Sequence, residues 1–169
     1  MNKTALIIGR FQPFHKGHLN LIKRFYKCGY FLKIGIGSSQ LSYTKKNPLT
    51  KEERKDCINL GLKEKKIKKY KIFYLPNISS DKDYVKHVMK IVGKFDLIVT
   101  GNPLVLKLFK GFNTKKNLWN IESFEENKRP GGEITATKIR KLWKKSPNRK
   151  GLEKSVYSYL NKIKFKERL

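Results

Sequence analysis

The stretch "TALIIGRFQPFHKGHL" (residues 4–19) decides the fold. Residues 4–8 form a short apolar run, predicted as a buried strand. The run ends at Gly9, which lets the chain turn off the strand, and Pro13 stiffens the loop that follows. From Lys16 the pattern changes period: Leu19, Ile22, Phe25 and Tyr26 share one face of a helix. A strand, a polar loop and then a helix is the opening of a βαβ unit, and the rest of the chain repeats it.

Further strands are predicted at residues 31–36, 71–75, 96–100 and 117–121. Helices fit between them. One begins at Thr50, where Thr50 and Glu53 form a capping box; another covers residues 81–92, with Tyr84, Val85, Val88, Ile91 and Val92 at helical spacing. A short helix follows Pro103, and two more cover about 135–145 and 151–163. Alternation of this kind predicts an α/β fold with a single doubly wound, Rossmann-like parallel sheet and helices on both faces. The expected organisation is one domain over residues 1–169, with 146–169 as a basic helical extension packed on it.

Composition narrows the function classes. The chain has 169 residues, enough to bury roughly two-thirds of its unfolded surface without staples. Its 2 cysteines, Cys28 and Cys57, form no C-x-x-C pair and are expected to be reduced thiols in a cytoplasmic protein. No apolar run reaches the roughly 18 residues of a membrane span. The net charge of +27 would draw phosphates of any kind, but basic residues are spread over every segment, so no specific nucleic-acid partner is expected.

Ligands of doubly wound sheets bind beyond the carboxyl ends of the strands. The segments there are the chemically rich ones: "GRFQPFHKGH", "GSSQLSYTKKNP", "PNISSD" and "GNP". His15 and His18 are three apart and point the same way on a helical turn; Gly17 between them leaves the backbone open, and Arg10 is close. With the unpaired amides of a helix start, this set suits a polyphosphate. Zinc is disfavoured, because the third histidine, His87, is mid-helix and no cysteine pair is near it. The loop is neither G-x-G-x-x-G nor a Walker sequence.

"GRFQPFHKGHL" resembles the H-x-G-H motif of the nucleotidylyltransferase superfamily. Together with "IGIGSSQLSYTKKNPLTKEER" (34–54), "TGNPLV" (100–105) and "ITATKIR" (134–140), it is similar to the archaeal type of nicotinamide-nucleotide adenylyltransferase. The resemblance implies transfer of AMP from ATP to nicotinamide mononucleotide by in-line displacement, giving NAD and pyrophosphate. It also implies Mg²⁺ carried mainly on the ATP phosphates with no protein metal site, and a homo-oligomer.

Residue by residue, the resemblance makes His15, His18, Arg10 and Arg140 the catalytic set, with His18 as the main transition-state contact. ATP is expected to lie against Gly9, Arg10, Phe11, His15, His18, Thr135, Thr137 and Arg140. The mononucleotide is expected against Phe14, Gly37, Ser38, Ser39, Arg54, Tyr84 and Asn102, with Arg54 neutralising its phosphate and Tyr84 stacking on its ring. Three positions depart from the family pattern: Tyr43 stands in place of histidine, Tyr84 of tryptophan, and Lys138 of a frequent acid. The alternatives are a superfamily member with a pantetheine-phosphate, flavin or polyol-phosphate acceptor, or a basic RNA-binding protein. "GSSQ" and "TGNP" argue against the first group, and no RNA-binding module is seen.

Overall fold

A computed structural model describes residues 3–112, 120–123 and 134–169. Its elements alternate as predicted. They are β1 (Thr4–Gly9), α1 (Lys16–Lys27), β2 (Phe31–Gly37), α2 (Lys51–Glu64), β3 (Tyr70–Leu75), α3 (Asp81–Val92), β4 (Leu97–Thr100), α4 (Pro103–Phe112), β5 (Asn120–Ser123), α5 (Ala136–Lys145) and α6 (Lys154–Lys162). A short 3₁₀ turn, Phe165–Arg168, ends the chain. The last strand is predicted at 117–121 and begins at Asn120; residues 117–119 lie outside the described residues. The last helix starts three residues later than predicted.

The five strands pair in the order β3-β2-β1-β4-β5, all in parallel. The chain builds outward from β1 through β2 to β3, then returns past β1 to place β4 and β5 on its other side. That reversal puts the helices of the two halves on opposite faces. The period of two along β1 makes this visible in residues: Ala5 and Ile7 join a core with Leu19, Ile22, Phe25, Ile58 and Leu62 of α1 and α2. Leu6 and Ile8 join a second core with Val85, Val88 and Val92 of α3 and Val105 and Phe109 of α4. β1 is buried on both sides, as a central strand of a parallel sheet must be.

The C-terminal segment adds to the first layer. Trp143 of α5 packs edge-on against Phe165, with ring centroids 5.5 Å apart, and both are buried. Polar joints fasten α6 to α2: the Ser155 amide and hydroxyl donate to Glu64, Lys65 pairs with Glu153 at 2.7 Å, and the Tyr159 hydroxyl donates to Asp56. The Ser155 bonds are the main cause that holds the Glu64 carboxyl down to about 2. Among the described residues no helix is long and apolar enough to cross a membrane.

Candidate functional site

The switch in winding direction lies between β1 and β4, and a cleft of about 760 Å³ opens there. Gly9 and Arg10 from the end of β1, Gly37 and Ser38 from β2, and Thr100 and Asn102 from β4 border it. The start of α1 closes one side, α5 contributes Thr135, Thr137 and Arg140, and α3 contributes Asp81 and Tyr84. Twelve of the fifteen residues expected at the site therefore line one cavity: Gly9, Arg10, Phe11, His15, His18, Gly37, Ser38, Tyr84, Asn102, Thr135, Thr137 and Arg140.

The histidine pair is built by the helix start. His15 is the N-cap of α1, and its Nδ1 accepts the Gly17 amide at 3.1 Å. An imidazole that accepts at Nδ1 carries its proton, when neutral, on Nε2. His18, one turn on, stacks on His15 with centroids 3.7 Å apart and planes 28° from parallel. Beneath His18 lie two aromatic rings, Phe14 stacked at 5.8 Å and Phe11 edge-on at 4.8 Å. Phe14 is seated by an absence: a Cβ on Gly61 of α2 would come within 2.6 Å of its ring.

The two loop glycines serve different ends from those their sequence positions suggest. Gly9 is strand backbone, and a Cβ there would meet the Phe11 ring at 3.1 Å, so it makes room for an aromatic rather than for a turn. The left-handed conformations fall instead on Phe11 (φ 52°) and Ser38 (φ 49°). At Gly17 a Cβ would strike the His15 ring at 2.9 Å, so this glycine admits the imidazole. The expected free amides of α1 are also partly spent, because Lys16 N–H donates to the Gly151 carbonyl at 2.9 Å and Gly17 N–H to His15. Charge at this end of the cleft comes chiefly from side chains.

Arg140 reaches across from α5. Its Nη1 donates to the Gln12 carbonyl at 2.7 Å and its Nη2 to the Thr137 hydroxyl at 3.3 Å, which fixes the guanidinium beside the first loop. Burial, with Arg10 as a lesser cause, lowers its pKa. Thr135 caps α5 by accepting from the Lys138 amide at 3.1 Å, which leaves its own hydroxyl proton to donate. Gln12, which the sequence reading passed over, ties the loop down on its other side. Its amide group exchanges two hydrogen bonds with the Leu49 backbone, at 2.9 and 3.0 Å.

Three expected contacts are placed elsewhere. Phe14 is fully buried and reaches His18 rather than the cleft. Ser39 is buried, and its amide donates to the Leu75 carbonyl. Arg54 is neither an exposed helix charge nor a cleft residue. It is 0% exposed and donates to six backbone carbonyls, those of Thr50, Arg10, Gly37, Ser38, Ser39 and Leu41. Burial pulls it down to about 10, so it stays charged at neutral pH. A guanidinium with all its N–H groups turned inward braces the loops after β1 and β2.

Tyr84 lines the cleft and also packs on the core that α3 covers. Asn102 lines the cleft, and its side-chain oxygen accepts the Leu104 amide at 3.0 Å at the start of α4. Tyr43, in the family's histidine position, is 68% exposed at φ 54°, and Arg168 lies over its ring at 5.3 Å. Arg168 also pairs with Glu53 at 2.6 Å, the acid of the capping box. Among the described residues no three His, Cys, Asp or Glu side chains converge as metal ligands.

Comparison with known proteins bears on the family and the fold. The cytidylyltransferase-like family model matches residues 6–142. A nicotinamide-nucleotide adenylyltransferase of Thermoplasma volcanium is 38% identical over 144 residues, 85% of this chain and 77% of its own length. One from Thermococcus sibiricus is 36% identical over 168 residues, covering 98% and 87%. That of Thermoplasma acidophilum is 43% identical over 107 residues, 63% of this chain, and the match spans only 60% of its own length. In fold, the chain is similar to a bifunctional NMN adenylyltransferase/ADP ribose pyrophosphatase of Francisella tularensis complexed with AMP and a manganese ion. The TM-score is 0.75 at 24% identity, over 96% of this chain and 49% of that one.

Proposed function

The chain belongs to the cytidylyltransferase-like family, and from that premise we propose that it transfers AMP from ATP to nicotinamide mononucleotide, forming NAD and pyrophosphate. The observation that carries this reading is the meeting, in one cleft at the sheet's switch point, of the stacked His15–His18 pair with Arg10 and Arg140.

A 5′-phosphate oxygen of the mononucleotide attacks the α-phosphorus of ATP. The new P–O bond forms as the bond to the β-phosphate bridging oxygen breaks, and pyrophosphate leaves opposite the nucleophile. Two anions must meet, so the protein's task is to position them and to offset charge. Arg10 and Arg140 flank the triphosphate. Thr135 and Thr137 donate hydroxyls to its oxygens, and the His15 and His18 imidazoles face the α-phosphate, where charge grows in the transition state. The aromatic floor of Phe11 and Phe14 keeps His18 from rotating away. The acceptor lies toward α3, its ring on Tyr84 and its polar groups near Ser38 and Asn102.

Mg²⁺ would be held mainly by the ATP phosphates and would neutralise charge on their oxygens. We read the whole chain as one catalytic domain of a cytoplasmic enzyme, residues 146–169 included, that assembles as a homo-oligomer; light scattering tests the assembly. The activity is tested by incubating the protein with ATP, Mg²⁺ and nicotinamide mononucleotide and following NAD and pyrophosphate. Equal formation of both, with no product from pantetheine phosphate, flavin mononucleotide or polyol phosphates, is the expected result. A preference for any of those acceptors, or for CTP over ATP, overturns it.

A further inference from the structure

The lining of the cleft is uneven in charge. Arg10 and Arg140 stand with the histidines, and among the described lining residues Asp81 is the one carboxylate. It opens α3, where its neighbour Asp83 is already committed: Ser80 caps the helix by accepting the Asp83 amide and donates its hydroxyl to the Asp83 carboxylate at 2.8 Å. Asp81 makes no such bond or ion pair with any described residue. It is exposed at the rim of the cleft, and at a spacing of three it shares a helix face with Tyr84, one turn further on.

We infer that Asp81 selects the acceptor ring, favouring the amide-bearing nicotinamide and disfavouring the carboxylate of nicotinic acid. This rests on the reading that the cleft takes a pyridine mononucleotide with its ring on Tyr84. Both acceptors carry the same cationic pyridinium, so Asp81 attracts both rings. They differ in the ring substituent, neutral in one and anionic in the other. An anionic substituent held within a helical turn of Asp81 meets a like charge, and at a water-exposed rim that repulsion amounts to roughly 1.5- to 5-fold in relative affinity. Because the site is exposed, salt must weaken it.

The test is kcat/KM for nicotinamide mononucleotide, nicotinic acid mononucleotide and reduced nicotinamide mononucleotide, whose ring is neutral, in the parent, D81N and D81K, at low and high salt. The parent is expected to prefer the amide. D81N should move the amide-to-acid ratio toward the acid by roughly 1.5- to 5-fold and D81K further still, through KM of the acceptor and with KM for ATP unchanged. The shift should shrink in high salt, and the reduced mononucleotide should respond less than the oxidised one. A ratio that is the same in parent, D81N and D81K, or equal losses for all acceptors as from a carboxylate that holds ribose hydroxyls, refutes the inference while leaving the reaction standing. If no pyridine mononucleotide is adenylylated by the parent, the proposed function falls, and the inference with it.

Discussion

Replacing Arg54 with methionine separates bracing from phosphate binding. The side chain fills similar space but gives up six hydrogen bonds to backbone carbonyls, the shortest 2.9 Å to Gly37. Counting only three of them at about 1.5 kcal/mol each, the low end for a charged donor, the loss is about 4 to 5 kcal/mol. Against that stands the relief of no longer burying a charge, which offsets part of it. A net destabilisation of roughly 2 to 4 kcal/mol should lower the melting temperature by roughly 5 to 15 °C for a chain of this size. Arg54→Lys, with three donors on a shorter reach, should fall between parent and Arg54→Met. Below the melting range, kcat/KM should drop for ATP and acceptor together, because the braced loops after β1 and β2 border both ends of the cleft. The assay pairs thermal denaturation with steady-state kinetics in each substrate. A variant that melts within about 2 °C of the parent and raises only the acceptor's KM would show that Arg54 binds the acceptor phosphate and that the bracing argument is wrong.

His18→Ala should lower turnover by on the order of 10²- to 10³-fold with ATP affinity far less affected; equal weakening of ATP binding at unchanged turnover would deny His18 its transition-state role. Gly61→Ala acts on the same imidazole from beneath. Its Cβ would stand 2.6 Å from the Phe14 ring, so overpacking of about 1 to 3 kcal/mol outweighs or cancels a helix-propensity gain of about 1 kcal/mol, and turnover should fall several-fold. A stabilised variant of full activity would mean that Phe14 is not seated as described. Tyr84→Phe should be nearly silent, and Tyr84→Ala should weaken the acceptor by roughly 2- to 30-fold. Because Tyr84 also packs on the α3 core, some loss of melting temperature accompanies it, and the deciding readout is whether ATP is spared. Glu64 is held near 2, below its ordinary 4.5, so its contribution to stability is present above 4.5 and lost as pH falls through about 2. The stability gap between parent and Glu64→Gln should therefore close over that interval in acid denaturation, and a constant gap would contradict the Ser155 linkage.

The first four strands were legible because their signals are local and repeated: each is a short apolar run, and the helix after it carries apolar residues at its own period, whereas β5, Asn-Ile-Glu-Ser, has no such run. The cleft was legible for the same reason, since the segments after β1, β2, β3 and β4 are polar and specific. Long-range hydrogen bonding was not. Nothing in "KEER" distinguishes an arginine on a solvated helix from one buried under six carbonyls, because five of the six acceptors come from residues 10, 37, 38, 39 and 41, which reach it only through the fold. Phe14 misled for a related reason. An aromatic in a binding loop can face ligand or floor, and the deciding feature, the missing side chain at Gly61, is 47 positions away in the sequence. Gln12 carried the one overlooked signal, a polar residue set between Phe11 and Pro13 inside a loop otherwise assigned to ligand.

The charge of +27 hides a second pattern, in where the few acids go. Of 13 Asp and Glu residues, most of those described are spent on joints. Glu53 completes the α2 cap and holds Arg168, Glu64 holds the start of α6, Glu153 pairs with Lys65, and Asp56 takes the Tyr159 hydroxyl. Asp96 accepts the Thr4 amide at 2.7 Å beside β1, and Asp83 belongs to the α3 cap. Four of these six fasten the C-terminal segment to α2, the helix whose Arg54 braces the site. A chain so short of negative charge puts its carboxylates where a donor must be satisfied, and lysines fill the solvated surface by default. Phosphate ligands gain from that excess without needing a dedicated patch, since the field of a dispersed positive surface falls into the cleft as it does elsewhere. Asp81, an acid left at the rim of the cleft, works against this field. On the proposed binding mode, its placement one turn from Tyr84 confines that cost to the end of the cleft that takes the acceptor's ring and not its phosphate.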